Sequence, residues 1–126
     1  PYAKGDPRQK EVSRRHYLKH KAEYFARNNA RRKKMRDWTS EVKAATPCVD
    51  CRNYFPPYVM DFDHREGVRK TAIVSRLVAN QSWTRLHAEI AKCDIVCSNC
   101  HRMRTYRRLL ASGARLPYMD AAPGTA

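Results

Sequence analysis

Cys48-Val49-Asp50-Cys51 and Cys97-Ser98-Asn99-Cys100 decide how this chain folds. Each is a pair of thiols two residues apart, and 45 residues separate the pairs. A two-residue gap lets both sulfurs of a knuckle reach one ion, and zinc takes four such soft ligands in a tetrahedron. The expected result is a structural zinc on Cys48, Cys51, Cys97 and Cys100, with no vacant position for catalysis. Cys93 is then surplus and reads as a small buried apolar residue. The zinc ties residue 48 to the turn before the last helix, a staple that a core of this size needs.

Outward from the knuckles, charge dominates. The 126 residues hold 26 Lys and Arg against 12 Asp and Glu, a formal +14 that points to a polyanionic partner rather than a neutral metabolite. Residues 1–47 carry 14 basic and 5 acidic side chains, and residues 48–110 carry 11 and 6. No apolar run is long enough to span a bilayer, and the first residues lack the apolar stretch of a secretory signal. Thiols in such a setting favour metal over disulfides, so a cytoplasmic location is expected.

No Gly or Pro interrupts Arg8 to Thr46, and propensity predicts a helix over roughly Arg8–Trp38. Its apolar stripe, Leu18, Ala22 and Phe25, is thin, so residues 1–46 read as a basic helical arm that tracks phosphates through Arg31, Arg32, Lys33 and Lys34. His16 and His20 have a zinc-capable spacing but no third ligand and read as solvated. Residues 47–112 form the module. A strand is expected over Tyr58–Asp63, a turn at Gly67, a short helix from Ser82 through Trp83, Leu86 and Ile90, and a second strand at Ile95-Val96. A last helix starts at Ser98 and stops at Gly113. His87 reads as a packing or surface residue. Residues 113–126, rich in Pro, Ala and Gly, read as a flexible tail.

The chemistry sits beside the knuckles, in Asp61-Phe62-Asp63-His64-Arg65 and Cys100-His101-Arg102. A carboxylate can hold a hard ion such as Mg²⁺. A neutral imidazole can take a proton from water. Arg65 and Arg102 can clamp a phosphate. In a regular strand Asp63 and His64 point to opposite faces, so both reach one phosphate only if the strand ends or bulges there. Asp61 reads as a surface or loop-bracing acid.

With Glu89-Ile90-Ala91-Lys92-Cys93-Asp94-Ile95-Val96 added, the ordered set resembles the HNH endonucleases with their ββα-metal fold, closest to small zinc-bearing members common in bacteriophages. The resemblance covers about residues 46–108. It implies an α+β fold: a small zinc-stapled ββα-metal nuclease module preceded by a long basic helix. It implies Asp63 and His101 as ligands of a catalytic Mg²⁺ or Mn²⁺ and His64 as the general base. The middle Asn of the motif falls on Lys92, a departure at a position that in the family braces the loop holding the base.

The function expected is a metal-dependent DNA endonuclease or nickase. Double-stranded DNA is the expected partner, and the products would carry 5′-phosphate and 3′-hydroxyl ends. Two other readings share the cysteines and the charge. One is a zinc module that only binds DNA. The other is a nicking accessory of a phage packaging machine.

Overall fold

The computed structural model of the protein describes residues 3–114. The expected tail therefore lies almost wholly outside the described residues. The architecture is small and α+β: five helices and one two-stranded antiparallel sheet. In chain order the elements are α1 (Pro7–Lys19), α2 (Lys21–Ala45), a 3₁₀ turn at Pro57–Val59, β1 (Met60–His64), α3 (Val74–Ala79), α4 (Trp83–Ile90), β2 (Cys93–Cys97) and α5 (Ser98–Ala111). None of the described helices is long and apolar enough to cross a membrane.

The long basic helix is two helices. Asp6 caps the first, accepting from the backbone N–H of Arg8 at 2.8 Å, with Pro7 at the first position. At His20 the backbone leaves helical geometry, and its N–H is shared between the carbonyls of His16 and Tyr17. No Gly or Pro marks this break. The rings of Tyr17 and Tyr24 (5.7 Å) and of His16 and Tyr24 (6.3 Å) lie across it.

α1 buries no residue, and Leu18 and Phe25 stay exposed, as a thin stripe should. The second half of α2 behaves differently. Met35 is fully buried against Leu77, Val78 and Leu86, and Trp38 packs on the same cluster. Trp38 meets Trp83 at 5.7 Å and His87 at 4.4 Å between ring centroids. The helix expected to be an arm through residue 46 is thus built into the module from Met35 onward. Its buried face hides within a run dominated by charge.

β1 and β2 pair in regular register, Met60 with Cys97 and His64 with Cys93. The ladder continues one step further, with the Arg65 N–H donating to the Lys92 carbonyl at 3.1 Å. Gly67, at φ 76°, then turns the chain in a left-handed conformation that a side chain resists. The strand face bearing Asp61 and Asp63 is covered by α5. A second core cluster, Cys48, Met60, Val96 and Cys97 with Phe55 and Ile95, fills the region of the knuckles. Ser82 occupies the N-cap of α4 without a side-chain bond, while α5 is capped by Cys97, whose sulfur accepts from the Cys100 N–H at 3.5 Å.

Candidate active cleft and metal centre

The four knuckle cysteines come together as their spacing requires. One sulfur from each of Cys48, Cys51, Cys97 and Cys100 lies within 4.8 Å of the others, a group that can hold a metal ion. Four thiols at such separations suit zinc, whose Zn–S bonds of about 2.3 Å place tetrahedral sulfurs roughly 3.8 Å apart. Cys48 and Cys97 are buried and Cys51 is exposed. Burial opposes ionisation of Cys48, but backbone N–H groups of Cys51, Cys97 and Asp50 outweigh it and bring the thiol down to about 6. Cys93 stands outside the group. It is buried, its Sγ donates to the Glu89 carbonyl at 3.4 Å, and burial pushes it up to about 11. That is the behaviour of an inert packing thiol.

A cleft of about 520 Å³ lies between β1, α2, α3 and the start of α5. Asp61, His64 and His101 all line it. Asp61 is half-exposed, and its Oδ2 accepts from His101 Nδ1 at 3.0 Å. Strand alternation would turn His64 away from Asp61 and Asp63. It nonetheless lines the same cleft as Asp61.

His64 is held by a buried acid. Its Nε2 donates to Glu89 Oε1 at 2.7 Å, and Glu89 is only 2 % exposed. The same carboxylate accepts from the backbone N–H groups of Thr71 (3.0 Å) and Ala72 (3.3 Å), the Thr71 hydroxyl and Lys92 Nζ (2.9 Å). The Thr71 hydroxyl bond leads the causes that hold Glu89 well below the usual carboxylate range; burial opposes it, and Lys92 and His64 add to it. Glu89 is therefore ionised and can only accept, which puts a hydrogen on His64 Nε2, so that in the neutral ring the lone pair is on Nδ1. Lys92 also donates to the Arg69 carbonyl (3.2 Å) and the Thr71 hydroxyl (3.1 Å). The bracing that the resemblance assigns to an Asn at this position is thus within reach of the lysine ammonium here.

Asp63 has different company. It is 5 % exposed and accepts from Arg108 Nη1 and Nη2, both at 2.8 Å, and from Arg104 Nη1 at 3.1 Å. Burial pushes its carboxyl up, but the hydrogen bonds from Arg108 and Arg104 outweigh this and the net shift is downward. His101 Nε2 lies 3.5 Å away. Arg104 extends the network with a two-pronged bond to Asp50 (2.7 Å each) and one to Asp94 (2.9 Å). These ion pairs clamp α5 onto the sheet.

The expected phosphate contacts scatter. Arg32 lines the cleft, Lys33 pairs with Asp37 at 2.6 Å, and Arg31 and Lys34 are exposed elsewhere on α2. Arg65 is spent on structure, donating to the carbonyls of Cys93 (3.1 Å) and Ala91. Arg102 sits with Asn99, Met103 and Tyr106 on a separate face of α5.

Sequence reasoning passed over Glu89, Arg36, Lys43, Lys70, Arg104 and Arg108. Glu89 had a readable signal, a charge beside Leu86 and Ile90 on the apolar face of a short helix with Lys92 three residues on. The others depend on non-local packing.

No family model, curated protein or solved structure matches the chain.

Proposed function

We propose that the protein is a metal-dependent DNA endonuclease or nickase, and that its working groups are Asp61, His64 and His101. One observation carries the reading: a carboxylate, an oriented imidazole and a second imidazole line one cleft whose α2 wall is basic. The motif resemblance and the antiparallel strand pair under α5 support it.

Asp61 and His101 are the side chains that would hold a divalent cation such as Mg²⁺. Both are accessible, and an oxygen and a nitrogen donor with room for water suit a hard ion. When bound, the ion would neutralise charge on the attacked phosphate and the leaving oxygen. The residues themselves do the rest. His64 Nδ1 takes the proton of the attacking water. Glu89 keeps the ring oriented and stabilises the imidazolium that forms, as the carboxylate of an Asp–His couple does. The resemblance implies the metal-binding carboxylate at Asp63, with Asp61 a bracing acid; the geometry favours the exchange of these two roles, since two guanidiniums occupy Asp63.

Supercoiled plasmid incubated with the zinc-loaded protein tests the reading. Nicked or linear product with Mg²⁺ or Mn²⁺, none with EDTA, and loss of product in Asp61→Asn are expected. Tight DNA binding without metal-dependent product would favour a module that binds only.

A further inference from the structure

The cations of α2 are not distributed like a generic solvated face. Arg32, Arg36, Thr39 and Lys43 recur at steps of four, three and four, so they form one stripe, and all four line the cleft. Lys70, just beyond the Gly67 turn, lines the same cleft. Elsewhere on the module Lys33 is neutralised by Asp37, Arg65 by Asp94, Lys92 by Glu89, and Arg104 and Arg108 by Asp50, Asp63, Asp94 and Glu66. The cleft cations are not. Among the described residues Arg36 and Lys70 have no acidic partner. Arg32 donates only to the Ala79 carbonyl and the Asn29 amide. Lys43 lies over the Phe62 ring at 5.0 Å, and burial pulls its pKa down against the opposing pull of Asp61.

Among the described residues, four positive groups thus line the cleft with Asp61 as its single acid. Gathering like charges in a partly buried cleft is unfavourable without an anion to bind there. The lining from the α3 side is apolar: Ile73, Val74 and Ala79 are at least partly exposed, and Val78 is buried beneath them. A strand of nucleic acid has this two-sided chemistry, phosphates on one edge and sugar and base surface on the other. The stripe from Arg32 to Lys43 covers about 16 Å of helix axis. That matches about five nucleotides of a strand rising about 3.4 Å each.

We infer that the cleft between α2 and α3 is a track for the phosphate backbone of one DNA strand, contacted by Arg32, Arg36, Lys43 and Lys70 and leading to Asp61 and His101 at its Lys43 end. That the strand is the scissile one rests on the nuclease reading; that it binds here does not.

The test is binding of a fluorescein-labelled oligothymidylate by anisotropy, in EDTA with the zinc-loaded protein, across a salt series. The variant is Arg36→Gln with Lys70→Gln, both exposed and without structural partners. The control is Arg31→Gln with Lys34→Gln, the same charge change on the same protein outside the cleft. Each lost phosphate contact removes about 0.7 from the log–log salt slope on single strands. The cleft variant should therefore lose about 1.4 in slope and about 25-fold in affinity at 0.1 M salt, and the control less than half of either. Equal losses in the two variants, or an unchanged slope in the cleft variant, would overturn the track. If the cleft variant loses binding as expected while wild type never cuts plasmid with Mg²⁺, the nuclease reading fails and the track stands. If wild type cuts and the cleft variant binds normally, the track fails alone.

Discussion

Replacing Asp63 with Asn separates a structural carboxylate from a metal-binding one. Asp63 is 5 % exposed and receives three charge-assisted bonds, two from Arg108 and one from Arg104. In Asp63→Asn an amide N–H₂ faces guanidinium donors, leaving buried positive charge uncompensated. Breaking a buried pair in this way costs about 3–5 kcal/mol. The lower end applies here, because Arg104 keeps Asp50 and Asp94 while Arg108 keeps only the exposed Glu66. For a chain of this size 1 kcal/mol moves Tm by about 4 °C, so a drop on the order of 12 °C is expected. Asp61→Asn, half-exposed and bonded to His101, should shift Tm by less than about 4 °C while abolishing cleavage. Circular-dichroism melts at fixed zinc, beside nicking rates at rising Mg²⁺, read both effects. An Asp63→Asn protein that melts with wild type yet regains cleavage only at high Mg²⁺ would refute the reasoning and make Asp63 the ligand.

Chelating the zinc, or Cys97→Ser, should abolish the cooperative melt, because a structural zinc contributes on the order of 10 kcal/mol or more of folding free energy; an unchanged midpoint after metal removal would refute the zinc staple. Glu89 gives an acid limb: its folded pKa is lowered, so its stabilisation is complete above the unfolded value of about 4.3 and is lost as pH falls below it. Tm followed from pH 7 downward should therefore drop below about pH 4.3 in wild type and drop less in Glu89→Gln; parallel curves would count against the network. Removing residues 1–19 deletes a helix with no buried residue, so Tm should hold while the DNA salt slope flattens. Removing residues 1–38 takes Met35 and Trp38 out of the core and should unfold the module, as a melt of each truncation would show.

What could be read from the residues was local. The knuckles, both strands, α4, α5 and the Gly67 turn each carry a short-range signal, and the four sulfurs meet as the spacing requires. The helix break at His20 had no such signal, since neither Gly nor Pro stands there. The short α3 at Val74–Ala79 has no side-chain cap to mark it. Met35 and Trp38 were hidden because Arg31 to Asp37 reads as a charge run, and only the packing of α3 and α4 against it reveals a buried face. Asp61 and Asp63 share a strand face and look equivalent in sequence. They differ because Arg104 and Arg108, one helical turn apart on α5, lie over one of them, and that register is tertiary. Lys92 could be seen to depart from the expected Asn, but not that its ammonium reaches Glu89 and the Arg69 carbonyl.

The most direct test of the proposed chemistry is the Mg²⁺-dependent nicking rate of His64→Ala against wild type on supercoiled plasmid, at equal zinc content and saturating protein. Loss of the proton acceptor should lower the rate by about 10²–10⁴-fold, with Glu89 still satisfied by Thr71, Ala72 and Lys92 and the fold intact. A His64→Ala protein that nicks as fast as wild type would contradict the assignment of the base.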